Sequence, residues 1–235
     1  MLQAIDLHKR YGDHVALDRL NLTVQPGEIC CLLGANGAGK TTTLHLFLNF
    51  VPRTSGQALI CGEDVVAHPL RTKEFLAYIP EVVNLYPALT GLENLQYFAS
   101  LAGLRWQVDA LVAEAVRAGL TETAVHQRLE GYSKGMRQKL GIAIALARRA
   151  KVLLLDEPLS GLDPQAANEF SQLLREVAQT GVAVLMTTHD LFRARDIATH
   201  IGIMVRGRLI DYRTADSIPP SELESIYLEH MRKSV

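Results

Sequence analysis

The chain has 235 residues, a formal net charge of −1, 48% hydrophobic residues and 21% charged residues. That balance fits a globular protein of one large domain, and it gives no support to a nucleic-acid binder held by bulk positive charge. No apolar run reaches the roughly 18 residues needed to span a bilayer. The start MLQAIDLHKR has no secretory apolar core, so a protein retained in the cytoplasm is expected. The cysteines are Cys30, Cys31 and Cys61. An odd number, with two adjacent in an apolar run, predicts buried reduced thiols and not a disulfide framework or a metal site.

In chain order, LNLTV (20–24) alternates Leu20, Leu22 and Val24 with polar neighbours and reads as a strand closed by a Pro26-Gly27 turn. ICCLL (29–33) is continuously apolar, as in a strand buried on both faces. Residues 92–150 show helical periods and no strand. Thr90 with Glu93 predicts a capping box ahead of Leu92, Leu95, Phe98, Ala99 and Ala102 on one face. A second helix is expected over 108–118, stopping at Gly119. In GYSKGMRQK (131–139), Ser133 can cap a helix, and Lys134, Arg137 and Lys139 make its start positive, which suits an anion. KVLLLDE and VAVLMTTH read as two more buried strands. Between them, Asp163 can cap a helix with Pro164 in its first position and Gly181 past its end. Its Phe170, Leu173, Leu174 and Val177 fall on one face. The tail PPSELESIYLEHMRK reads as one short helix with Leu223, Ile226 and Tyr227 on its apolar side. Strands alternating with helices imply a parallel sheet.

The strongest chemical signal is GANGAGKT (34–41), which matches G-x-x-x-x-G-K-[ST] between an apolar strand and a helical pattern. Its glycines let backbone amides close around phosphates, Lys40 supplies a point charge, and the Thr41 hydroxyl can bind Mg²⁺. Asp156 ends a buried strand where ligands bind in open α/β sheets, and a Mg²⁺ shared with Thr41 removes the penalty of an unpaired carboxylate there. Glu157 follows, facing the other way, and is the candidate to deprotonate an attacking water. His189 ends a strand of the same sheet and is expected beside the γ-phosphate.

Together these segments resemble the ATP-binding subunit of ATP-binding-cassette (ABC) transporters, from residue 1 to about 207. The resemblance implies an α/β P-loop NTPase fold: a mostly parallel sheet with helices on both faces, an N-terminal antiparallel β subdomain, and an all-helical subdomain inserted at about 85–150. The ATPase domain is expected at 1–215 and a short C-terminal helix at 216–235. By the same resemblance Tyr11 stacks on adenine with Ala16 beside it. Gly34, Ala35, Asn36, Gly37, Ala38, Gly39, Lys40, Thr41 and Thr42 form the Walker A loop. Glu81 takes the Q-loop position. Ser133, Lys134, Gly135 and Met136 belong to YSKGM, which is similar to the signature written LSGGQ. Asp163 lies in the D-loop and His189 is the switch histidine. Lys40, Glu157 and His189 are the expected catalytic groups, and Thr41, Glu81 and Asp156 the expected Mg²⁺ ligands.

Two departures stand out. Glu81 replaces Gln and adds negative charge near the γ-phosphate. Tyr132, Lys134 and Met136 replace Leu, Gly and Gln, while Ser133 and Gly135 remain. The cofactors implied are ATP and Mg²⁺. The partners implied are a second ATP-binding subunit, as a homodimer closing head to tail, and an integral membrane permease, with no nucleic acid. The location implied is peripheral, on the cytoplasmic face of the cell membrane. The tail and the YSKGM and Glu81 variants resemble the drug, antibiotic and sodium export branch. The alternative is a non-transport ABC ATPase, for example of the iron–sulfur assembly type.

Overall fold

A computed structural model describes residues 1–219; the expected C-terminal helix falls mostly on residues 220–235, outside the described residues. The strands are β1 (Leu2–Tyr11), β2 (His14–Val24), β3 (Ile29–Leu33), β4 (Ser55–Ile60), β5 (Glu63–Asp64), β6 (Leu76–Ile79), β7 (Val152–Asp156), β8 (Ala183–Thr188), β9 (His200–Val205) and β10 (Arg208–Thr214). The helices are α1 (Lys40–Phe47), α2 (Pro69–Phe75), α3 (Gly91–Leu101), α4 (Val108–Arg117), α5 (Glu122–Val125), α6 (Lys134–Ala147), α7 (Pro164–Gln179) and α8 (Leu191–Ile197).

Two sheets result. The first is antiparallel, in the order β2-β1-β4-β5. The second runs β10-β9-β3-β8-β7-β6, parallel from β9 to β6, with β10 antiparallel at one edge. The apolar runs of β3, β7 and β8 fill its middle, and alternate residues serve two cores. Ile29, Cys31, Leu33, Leu153, Leu155, Val184 and Met186 pack against the helices of one face. Cys30, Leu32, Val152, Leu154, Ala183 and Leu185 pack toward α1 and the antiparallel sheet. All three thiols are free, and Cys61 is only partly buried. Burial pushes the Cys30 thiol up to about 12, so it stays protonated.

The caps read from the sequence form. Thr90 Oγ1 accepts from the Glu93 amide at 3.1 Å while Glu93 Oε2 accepts from the Thr90 amide at 2.7 Å. Asp163 Oδ1 accepts from the Ala166 amide at 2.9 Å, and Phe170, Leu173, Leu174 and Val177 are buried under α7. Ala102 departs from the reading: it caps the end of α3 and is exposed. At the C-terminal side, Ala215 and Ile218 bury in the helix-side core, so packing continues past residue 215.

Candidate functional site

Three loops at the carboxyl ends of β3, β7 and β8 bring the candidate residues together. The first runs from Gly34 into α1. A Cβ on Gly34 would stand 2.5 Å from the Met204 carbonyl oxygen. Gly39 adopts a left-handed φ of 103°, and a Cβ there would meet the Ala16 carbonyl oxygen at 2.6 Å. Only glycine fits at these points, so the chain folds back tightly and directs the first-turn amides of α1, which have no intrahelical acceptors, outward. Lys40 is nearly buried. Its ammonium donates to the carbonyls of Gly34 (2.6 Å) and Ala35 (3.4 Å) and lies 3.8 Å from Glu157 Oε1. A buried cation is thereby compensated by dipoles and one carboxylate.

At the end of β7, Asp156 Oδ1 accepts from Thr41 Oγ1 at 3.3 Å and from Thr187 Oγ1 at 2.5 Å. Glu157 then turns away with a φ of 46°, an uncommon conformation for a residue with a side chain. The turn is held by its amide, which donates to both the carbonyl (3.2 Å) and the hydroxyl (3.1 Å) of Thr187. Strain of this kind persists only where neighbours over-determine it. Glu157 Oε2 sits 3.0 Å from Nδ1 of His189. With Glu157 ionised, that bond places a proton on Nδ1.

The Thr41 and Asp156 pair offers hard oxygen donors, the set Mg²⁺ prefers when phosphate supplies further oxygens. Among the described residues no cluster of three or more His, Cys, Asp or Glu could hold a metal by itself. Glu81, also expected at the metal, is exposed and accepts from Ser160 Oγ at 3.2 Å; among the described residues no hydrogen bond joins it to Thr41 or Asp156.

The remaining candidates lie elsewhere. Tyr11 is exposed, and the Lys9 ammonium covers one face of its ring at 4.3 Å while donating to the Pro52 carbonyl at 2.6 Å. Ala16 is buried beside Gly39 and Gly207. Ser133 caps α6, accepting from the Met136 amide at 3.2 Å. No hydrogen bond joins residues 133–136 to residues 34–42 among the described residues. The three cations of this segment already have partners in the chain: Lys134 the Ser160 carbonyl (2.5 Å), Lys139 Glu169 (2.7 Å), and Arg137 the Leu129 carbonyl (3.3 Å). Tyr132 is buried, and its hydroxyl donates to the Ala124 carbonyl at 2.6 Å. Burial raises its pKa, keeping it a donor. Asp163 is occupied as the α7 cap.

Thr187 and Ser160 are structural partners that the sequence reading passed over. A fully buried threonine inside the apolar run VAVLMTTH was the available signal for Thr187. Ser160 gave none.

Residues 17–160 match the family model described as ABC transporter. The chain belongs to the ABC transporter family. It is an ATP-binding cassette of that family, and an ATPase. It is 36% identical over 211 residues to the Nod factor export ATP-binding protein I of Cupriavidus metallidurans, covering 89% of the cassette and 70% of that protein. A solved structure of the ATP binding subunit of an ABC transporter matches with a TM-score of 0.85 and 29% identity, over 97% of the cassette and 98% of that chain. The ATP-binding cassette MJ0796, solved as a dimer in a post-hydrolysis state with ADP and Pi, matches at TM-score 0.80 and 23% identity over 92% and 99% of the two chains, a likeness of fold.

Proposed function

We propose that the cassette hydrolyses Mg²⁺-ATP between two copies of itself and drives export through a separate membrane permease, from a peripheral position on the cytoplasmic face of the membrane. The observation that carries the reading is the meeting of Lys40, Glu157 and His189 beside the Thr41–Asp156 pair. The amides and Lys40 of residues 34–42 hold the phosphates, and Tyr11 offers its free face to adenine. Thr41 and Asp156 hold Mg²⁺, with Glu81 joining from the Q-loop. When bound, Mg²⁺ neutralises charge on the phosphate oxygens. Glu157 takes the proton of the attacking water, and His189, hydrogen-bonded to it, fixes the carboxylate and presents Nε2 to the site.

Among the described residues no hydrogen bond joins residues 133–136 to this loop in their own chain, and the capping Ser133 is exposed at the start of α6. This supports a role on the ATP of the second subunit, in a head-to-tail dimer. Export follows the Nod factor export relative. Among the described residues no helix is long and apolar enough to cross a membrane, and this reading assigns the membrane crossing to a permease. Its docking surface is the exposed aromatic ridge of Tyr86 and Tyr97, whose hydroxyls are 3.1 Å apart, beside the cleft lined by Pro80, Val83, Leu85 and Phe98. The ATPase body takes residue 1 to about residue 218, slightly beyond the expected boundary at 215, because Ile218 packs in its core.

Mixing tests the dimer. Every subunit carries Glu157→Gln to accumulate closed dimers. One population adds Lys40→Ala and the other Ser133→Arg. Each alone has both sites damaged and stays monomeric with ATP. Mixed, one site keeps an intact Lys40 facing an intact Ser133, and a dimer holding one ATP appears on gel filtration. No mixed dimer from two folded proteins would refute the head-to-tail arrangement.

A further inference from the structure

We infer that Lys134 is a positioning residue, tying the signature segment of a chain to the Q-loop and catalytic loop of that same chain. Three segments distant in sequence meet at Ser160. Its carbonyl accepts from the Lys134 ammonium at 2.5 Å, and its hydroxyl donates to Glu81 Oε1 at 3.2 Å. Its amide donates to the Glu157 carbonyl at 3.1 Å. Ser160 is therefore a junction whose three polar groups each hold, or are held by, a different motif. Lys134 is half-buried, and its ammonium lies against Gly161, where a Cβ would stand 3.6 Å away. Gly161 has a left-handed φ of 66°, the turn that follows the carbonyl Lys134 holds.

The position matters because the family motif has glycine where this chain has Lys134, and glycine has no side chain to make the strut. A charged donor on a neutral carbonyl is among the stronger hydrogen bonds. It fixes Ser160, and through Ser160 it fixes the carboxylate of Glu81 and the start of the loop after Glu157. On the dimer reading proposed above, residues 133–136 of one chain face the ATP of the other. The strut then makes the state of one nucleotide felt at the Glu81 and Glu157 of the neighbouring site.

The test uses Lys134→Met, Ser160→Ala, the double variant and Lys134→Arg, with Lys134→Gln in reserve should Lys134→Met lose its melting transition. Hydrogen exchange without nucleotide comes first: Lys134→Met speeds exchange over residues 157–162, and unchanged exchange there overturns the strut. In steady-state ATPase assays, Lys134→Met and Ser160→Ala each lower kcat about ten- to a hundredfold, the range of one charge-assisted hydrogen bond, with KM held within about twofold. The double variant falls no further than the worse single, because both cut one chain of contacts. Lys134→Arg recovers most of the rate. A multiplicative fall in the double variant overturns the inference. So does a Lys134→Met effect on KM alone, which marks a simple phosphate contact. Failure of the Glu157→Gln parent to dimerise with ATP sinks the dimer reading instead, and the exchange and kcat results still judge the strut.

Discussion

Gly91 and Tyr132 form a contact that can be taken apart atom by atom. Gly91 opens α3 so close to the buried Tyr132 that a Cβ on Gly91 would stand 2.3 Å from the hydroxyl oxygen, 3.0 Å from the Val125 carbonyl oxygen and 3.4 Å from the ring. Gly91→Ala must push the hydroxyl away from Ala124. Overpacking of this kind costs about 1–3 kcal/mol, against about 0.5–1 kcal/mol regained from alanine's better helix propensity. A net loss of about 1–2 kcal/mol is expected. Tyr132→Phe removes only the hydroxyl. The Ala124 carbonyl keeps the Gln127 amide at 2.9 Å, so the loss is one net hydrogen bond, about 1 kcal/mol. In the double variant the 2.3 Å clash is gone. Its loss should fall short of the sum of the singles by about 1 kcal/mol. Urea titrations with an unchanged slope measure all four proteins. Additivity within about 0.3 kcal/mol would refute the claim that the hydroxyl is what excludes a side chain at position 91.

Glu157→Gln should retain ATP binding and lose about 10²–10⁴-fold in turnover, or roughly 3–5 kcal/mol of barrier; near-normal ATPase rates would remove Glu157 from the role of base. Asp64 is the pH-sensitive stabiliser. Burial would raise its pKa, but Arg53 at 2.7 Å and the amides of Ala67 and Val66 outweigh it and hold the carboxyl below its ordinary value. A depressed folded pKa means that the stabilisation is full above the unfolded value of about 3.9 and is lost as the pH falls through the folded one. Asp64→Asn should lower stability at pH 7 by about 1–2 kcal/mol, and the gap in melting temperature should begin to narrow below about pH 4 and close once the pH has fallen past the folded value; a gap that does not narrow on acidification would disprove the ion-pair account.

What the sequence made legible was local. The phosphate loop is a fixed spacing between a strand and a helix, and the Thr90, Ser133 and Asp163 caps are governed by residues three apart. β3, β7 and β8 announce themselves because burial on both faces leaves no polar positions. The missed parts depend on distant partners. β6 has four residues and pairs with β7 some 76 positions later. β10 is an edge strand whose burial alternates too weakly to read. Lys134 looked like free positive charge for a phosphate, and only the folded chain shows its ammonium on a carbonyl 26 residues away.

The order of β3 in its sheet bears on how the protein is made. This strand carries the phosphate loop, yet its hydrogen-bonded neighbours are β8 and β9, residues 183–205. During synthesis from the N-terminus, ICCLL and GANGAGKT leave the ribosome more than 140 residues before either neighbour. Parallel pairing of this separation forms late, because loop closure must precede any gain from contacts. The Met204 backbone that closes on Gly34 belongs to that same late segment. A nascent cassette therefore has no complete nucleotide pocket until its last strands emerge. ICCLL spends most of translation as an unpaired apolar strand, the kind of segment that chaperones exist to cover.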